Sequence, residues 1–261
     1  MNLPKEIQDL IAGQAYTVDE AGMSGSDILI FADKVLKIQP ETEETRSERA
    51  VMRWLKGKIS APEILADVQK DGKNYLLMTR IPGKMSCDQE YLENPGLLVS
   101  LLAKALKTLW SVEITDCPAV WNLDAKLGAA RKNVEQGLVD VNNVEPETFG
   151  ENGFSDPAAL LSWLEANRPE EELVLSHGDF CLPNIFLEKE KLSGFIDLGR
   201  MGLADKWQDI ALCYRSLKHN FEGYYGGKVY EGFDPDILFE ALGIEPDWQK
   251  LNYYILLDEL F

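Results

Sequence analysis

Two neighbouring segments carry the side chains best placed to do chemistry. One is Ser176-His177-Gly178-Asp179-Phe180-Cys181-Leu182-Pro183-Asn184; the other, Phe195-Ile196-Asp197-Leu198-Gly199-Arg200, follows closely. The first has the form H-G-D-x-x-x-x-N, and the second sets an Asp directly after an apolar run. Phosphoryl transfer asks little covalent help of a protein. It needs the nucleophile oriented and Mg²⁺ held against the phosphates. Asp179, on a tight loop, can accept a hydroxyl's hydrogen bond and orient it. The amide oxygen of Asn184 and the carboxylate of Asp197 are hard donors suited to Mg²⁺. H-G-D alone arises often by chance, and Asp179 would then be a turn former and Asn184 a cap. The full spacing with I-D-x-G at short range is far more specific.

Such a site also needs a cation for the phosphates. Val35-Leu36-Lys37-Ile38 places a lysine inside an apolar strand pattern, where an unpaired charge is costly. A partner is therefore expected, and Glu48, early in the next helical pattern, is the candidate. The whole arrangement resembles the H-R-D-x-x-x-x-N and D-F-G pair of protein kinases, with Gly for Arg and Leu for Phe. Taken alone, Lys37 also fits an ordinary edge-strand lysine. Ala21-Gly22-Met23-Ser24-Gly25-Ser26 is placed to cover phosphates with backbone N–H groups, Ser24 among them, and fits an ordinary hairpin turn equally well. Met78 to Ile81 falls where a nucleotide base would meet the chain. His177 reads as an imidazole that fixes the loop, and His219, in a polar helix end, as solvated. No Ser or Cys has a His at motif spacing, so covalent catalysis finds no support.

The elements that must position these residues divide in two. Short alternating segments at 15–20, 26–31, 34–39, 64–69 and 74–79, with a turn at Asp71-Gly72, predict an antiparallel sheet. One helix interrupts it at 42–57, with Thr42 or Thr45 as cap and Gly57 as stop. Pro82-Gly83 marks a break. Helical patterns then dominate at 95–112, 123–138, 157–167, 205–219, 235–243 and 247–261, with short strands at 173–176, 184–188 and 192–197. The expectation is an α+β, two-lobed fold. Residues 1–81 form a β-sheet lobe with one main helix, and 82–261 a larger, mainly α-helical lobe.

Composition narrows the function classes. The 261 residues are 45% hydrophobic, enough for a sizeable core. A net charge of −18 argues against nucleic acid and anionic membranes as partners. It suits either plain solubility or attraction of a polycation. No apolar run is long enough to span a bilayer, and the N-terminal residues lack a leader pattern. Cys87, Cys117, Cys181 and Cys213 stand apart, as reduced thiols of the cytosol do. A cytoplasmic enzyme, monomeric or weakly dimeric, is expected.

In this order the motifs resemble those of the aminoglycoside 3'-phosphotransferases, within the wider choline-kinase-like superfamily of protein-kinase-like fold. The resemblance runs from Glu20 to Phe261. It is most specific in 169–179 and 193–200, in Ala204-Asp205-Lys206-Trp207-Gln208-Asp209-Ile210, and in the ending Tyr253-Tyr254-Ile255-Leu256-Leu257-Asp258-Glu259-Leu260-Phe261. It implies transfer of the γ-phosphate of ATP, or of GTP, to a hydroxyl of a kanamycin- or neomycin-like antibiotic, and so resistance. By matched position Asp179 is the base, Asn184 and Asp197 hold Mg²⁺, Lys37 meets the phosphates and Glu48 holds Lys37. Ser24, Met78 and Ile81 lie at the nucleotide. Arg200, Arg215, Asp258, Glu259 and the terminal carboxylate of Phe261 lie at the antibiotic. The physics agrees, because carboxylates at a helix C-terminus are unfavourable and a bound polycation relieves them. The loop 139–155 adds Asp140, Glu145, Glu147 and Glu151 as lid acids, or as a solvated linker.

Three departures from the family stand out. Val35 replaces the aromatic residue that stacks on adenine. His219 occupies a helix position where the family often has an acid. The segment 220–234, with Phe221, Tyr224, Tyr225 and Tyr230, reads as an insertion near the pocket. The alternatives are a kinase of the same fold for an amino sugar, homoserine or choline-like metabolite, and a non-catalytic nucleotide-binding module. The acidic ending disfavours a neutral metabolite. The presence of Lys37, Asp179, Asn184 and Asp197 together disfavours a non-catalytic module.

Overall fold

The alternating patterns of the first third produce strands whose two faces have different tasks. The computed structural model describes residues 3–19 and 27–261. Helix α1 (Lys5–Ile11) precedes strands β1 (Thr17–Asp19), β2 (Asp27–Ile30) and β3 (Lys34–Pro40). Helix α2 (Glu43–Leu55) then leads to β4 (Ile64–Lys70) and β5 (Lys73–Thr79). The five strands form one antiparallel sheet in the order β1-β2-β3-β5-β4. Asp71 and Gly72 join β4 to β5 with φ of 52° and 74°, the left-handed pair that a two-residue hairpin needs.

Register sorts the side chains. Leu36 pairs with Leu77 and Ile38 with Tyr75, and these residues pack with Leu29, Phe31 and Ile7 of α1 in a small cluster. Lys37 lies opposite Leu76, and Val35 opposite Met78, on the other face. Leu76 there joins Val51, Met52 and Leu55 of α2 in the large core. Strand periodicity thus carries Lys37 to the face that meets α2.

Helix α2 begins with Thr42 and Thr45 capping one another reciprocally, the Thr42 oxygen accepting from Thr45 N at 3.2 Å. Arg49, one residue beyond Glu48 and only 4% exposed, binds Glu41 at 2.8 Å and Asp67 of β4 at 3.1 Å. The helix is therefore pinned to the sheet beside the residue that must reach Lys37.

After residue 81 the chain continues with β6 (Lys84–Met85), α3 (Gln89–Leu92), α4 (Pro95–Trp110), α5 (Leu123–Gln136) and α6 (Pro157–Ala166). Next come β7 (Leu173–Ser176), a 3₁₀ turn at Leu182–Asn184, β8 (Ile185–Glu188), β9 (Lys191–Phe195) and β10 (Gly202–Asp205). Helices α7 (Lys206–Phe221), α8 (Ile237–Leu242) and α9 (Trp248–Asp258) follow. Strands β7 and β10 pair antiparallel, and β6-β8-β9 make a second small sheet. One core runs from α2 through α4, α5, α6 and α7 to Tyr254 and Leu257 of α9. No helix among the described residues is long and apolar enough to cross a membrane.

The α+β class and the order of the long elements match the sequence expectation. β6, α3 and β10 are additions of two to four residues, too short for a periodic pattern to reveal. The strand expected over 192–197 ends at Phe195, because Asp197 turns the chain with φ of 57°. At the Pro82-Gly83 break the backbone is tightly packed. Gly83 has φ of 94°, and a Cβ there would lie 2.2 Å from the Leu187 carbonyl oxygen.

Candidate active site

The loop after β7 is held from three sides before any functional atom is considered. Asp209 of α7, fully buried, accepts from Ser176 Oγ at 2.9 Å, His177 N at 2.7 Å and Gly178 N at 2.9 Å. Burial pushes the Asp209 carboxyl up, while His177 and these donors pull it back. His177 Nε2 meets the Ile196 carbonyl at 3.0 Å, and its ring packs against Phe180 and Phe195. Gly178 has φ of 81°, and a Cβ there would meet the Arg200 carbonyl at 2.1 Å. This contact explains glycine between His177 and Asp179: any side chain would push the two segments apart.

Asp179 emerges from that frame beside Asn184. The Asn184 amide nitrogen donates to Asp179 Oδ2 at 2.9 Å and to its backbone oxygen at 3.0 Å. Asn184 Oδ1 is left for another ligand. Asp197 stands in the left-handed turn after β9 with its side chain half exposed.

Lys37 reaches this group from the sheet. Its Nζ lies 3.2 Å from Glu48 Oε1 and 3.3 Å from Asp197 Oδ1, a residue 160 positions away. Glu48 also accepts from Gln39, the next residue on the same face of β3, at 3.2 Å. Burial opposes the Lys37 charge, but Glu48 and Asp197 outweigh it and raise the pKa. Met78 sits opposite Val35 on that face, and Ile81 is buried with a methyl group near the backbone of Gly194. Ser24 and the turn around it lie outside the described residues.

A second cluster forms around Arg215 of α7. Its guanidinium pairs with Asp258, with Glu259 at 3.0 Å and with Glu145 at 3.9 Å. The Glu145 backbone N–H donates to Glu259 at 2.9 Å, which ties the 139–155 loop to the end of α9. Burial, reinforced by Asp258 and Glu145, pushes the Glu259 carboxyl to about 7, against the pull of the Glu145 N–H and Arg215. Arg200 lies 3.8 Å from Asp258 and 5.4 Å from the Phe261 ring. Arg200, Arg215, Asp258, Glu259 and Phe261 are thus brought together as expected. The protein's own arginines already neutralise part of the acid.

One expectation is overturned. His219 is not solvated: it is 7% exposed, with Nε2 2.8 Å from Glu145, and it stacks on Tyr224 with centroids 4.2 Å apart. Of the 139–155 acids, Glu145 turns inward, while Asp140, Glu147 and Glu151 are exposed or half-buried.

Sequence reasoning also passed over Asp209 and Lys126. Lys126 of α5 is 4% exposed, and its Nζ lies 5.7 Å from the Phe261 ring on the side chain facing Asp258, Arg200 and Asp179. Burial pushes its pKa down to about 8 despite the nearby carboxylates. A signal for it existed. Lys126 shares a helical stripe with Leu123, Leu127 and Ala130, where a charge needs a reason just as Lys37 did in β3.

The profile of the phosphotransferase enzyme family matches residues 18–252. Aminoglycoside 3'-phosphotransferases from Enterococcus faecalis and Staphylococcus aureus are 37% and 36% identical to the chain, each alignment covering 100% of it and 99% of the relative. An aminoglycoside phosphotransferase from Streptomyces rimosus superimposes with a TM-score of 0.81 at 22% identity, over 97% of this chain and 95% of that one. The same enzyme in complex with ADP and streptomycin gives 0.77.

Proposed function

The chain belongs to the phosphotransferase enzyme family, and we propose that it transfers the γ-phosphate of ATP to a hydroxyl of an aminoglycoside antibiotic. The observation that carries this reading is Lys37, which joins Glu48 on α2 to Asp197 beside the Asp179 loop. A nucleotide binder alone has no need of Asp179 and Asn184 in the same constellation. The whole-length likeness to aminoglycoside 3'-phosphotransferases supports the acceptor class.

In this reading residues 1–81 form the nucleotide lobe and 82–261 the catalytic and acceptor lobe. Lys37 meets the phosphates, held extended by Glu48. Met78 and Ile81 line the base, with Val35 packing where an aromatic ring would stack. Asp179 accepts the acceptor hydroxyl's hydrogen bond and orients its oxygen toward the phosphorus. Asn184 fixes the Asp179 carboxylate through its amide nitrogen. The donor set fits Mg²⁺. Asn184 keeps its amide oxygen and Asp197 its carboxylate, two hard ligands to be completed by phosphate oxygens and water. Bound Mg²⁺ supplies charge neutralisation on the phosphates. Glu145, Asp258 and Glu259 take the ammonium groups, with Arg200 and Arg215 setting their geometry.

The test is a coupled ADP-release assay with Mg²⁺, ATP and kanamycin, neomycin, choline or homoserine. Turnover with the antibiotics and not with the small metabolites is expected. Turnover with choline or homoserine alone would replace the acceptor class and leave the kinase site intact.

A further inference from the structure

His219 does more than depart from an acidic position. It begins an aromatic run that leads out of the carboxylate cluster. Nε2 of its ring faces Glu145 at 2.8 Å, and Nδ1 lies 3.3 Å from the Tyr225 hydroxyl. Tyr224 stacks on the imidazole with an interplanar angle of 12°, and Tyr225 meets it edge-on at 74°. Both tyrosines nonetheless stay open, 52% and 69% exposed. Two adjacent exposed aromatic rings, held in fixed orientation by a buried imidazole, form a platform rather than a core.

The platform borders a cavity of about 270 Å³ between α3 and the 220–234 segment, lined in part by Gln89, His219, Asn220, Tyr225 and Lys228. Its polar groups are amides and cations. No Asp or Glu lines it. Asn220 donates its N–H to Ser216 O at 2.7 Å, and Gln89 donates to Glu93 at 2.7 Å, which leaves both amide oxygens for a ligand's hydroxyl groups. An ammonium-rich ring finds no countercharge there. A neutral sugar ring finds an aromatic surface for its C–H face and amides for its hydroxyls.

We propose that the 220–234 segment builds an accessory acceptor subsite that binds a neutral, hydroxyl-bearing sugar ring, with Tyr224 and Tyr225 as its stacking surface. Glu145 marks the border. It contacts Arg215 on the ammonium-binding side and His219 on the sugar side. The subsite rests on the aminoglycoside reading above and adds which further ring the enzyme reads.

The experiment compares neamine, a two-ring acceptor, with ribostamycin, which adds a neutral ribose. The unsubstituted chain and the Tyr224→Ala/Tyr225→Ala variant are assayed for KM and kcat with both. The tyrosines are surface residues, so folding is expected to survive. The double variant should raise the ribostamycin KM about tenfold and leave neamine KM and both kcat values unchanged. Tyr225→Phe, which keeps the ring, should retain most of the ribostamycin affinity. An equal rise with both acceptors, or no rise with ribostamycin, overturns the subsite. If the unsubstituted chain phosphorylates neither compound, the aminoglycoside reading falls and the subsite with it.

Discussion

The site has two ends built on different plans. At the phosphate end each residue has one task and one geometry. Lys37 touches Glu48 and Asp197, and Asp179 is held by Asn184. At the acceptor end Arg215, Asp258, Glu259, Glu145, Arg200 and His219 share partners in a network. A phosphate is the same in every reaction, so its end can be rigid. An antibiotic varies in ring number and in amine placement. A network of carboxylates already paired to arginines can exchange one cation for another without leaving a charge bare. The contrast predicts large, specific losses at the first end and graded, pH-dependent ones at the second.

The largest expected effect is at Asp179. Asp179→Ala should lower kcat by about 10²–10⁴-fold, while ATP affinity, read by calorimetry, stays within about threefold, a shift small against RT. Equal loss of turnover and nucleotide binding would break the contrast, because Asp179 would then be holding the loop. That holding is assigned to Asp209. Asp209→Ala leaves three buried donors unpaired at Ser176, His177 and Gly178. It should cost about 3–5 kcal/mol in denaturant unfolding, with Asp209→Asn less damaging. A fully stable alanine variant would show that water can serve the loop equally well.

How far the sequence reached follows the same division. Lys37, Glu48, Asp179, Asn184 and Asp197 were legible because each sits at a fixed offset within a motif or breaks a local pattern that it should obey. Lys37 in an apolar strand asks for a partner, and Glu48 is the nearest one on the following helix. The long helices were legible for the related reason that a 3.6-residue period repeats over several turns. His219 was misread because its burial comes from residues far away in the chain: Glu145, 74 positions earlier, and two tyrosines of a segment with no period. A polar helix end seen alone looks solvated. Lys126 was passed over for a different reason, since a helix stripe with one lysine often lets that side chain snorkel to water.

Lys126 tests whether the acceptor end is maintained at the expense of stability. Its folded pKa of about 8 lies below the ordinary lysine value. The folded protein therefore binds this proton less tightly than the unfolded chain does. Stability should rise with pH between about 8 and 10.5 from this group, and its charge opposes folding below that window. Lys126→Met keeps the bulk and removes the charge. It should stabilise the protein at neutral pH on the order of 2 kcal/mol and flatten the alkaline part of the pH–stability curve. It should also raise the acceptor KM while leaving that for ATP unchanged. A variant that is stabler and kinetically unaltered would place Lys126 outside acceptor binding.

The smallest effect is the most diagnostic of a shared network. Glu259 has its pKa raised to about 7, chiefly by burial, with Arg215 and the Glu145 N–H opposing and Asp258 and Glu145 reinforcing. The folded state holds this proton more tightly than the unfolded one, so ionising Glu259 weakens stability as pH rises from the ordinary carboxylate range to about 7. An ammonium group bound beside it favours the ionised form. Antibiotic binding near pH 6.5 should therefore release a fraction of a proton, about half at most for one group midway in its titration. Calorimetry in buffers of different ionisation enthalpy reads this directly. Glu259→Gln should abolish the release while binding weakens only severalfold, about 1 kcal/mol, because Asp258 and Glu145 remain. A release that persists in the Gln variant moves the titrating group elsewhere in the network. A complete loss of binding would show that Glu259 acts alone, as the residues at the phosphate end do, and the two ends would then follow one plan.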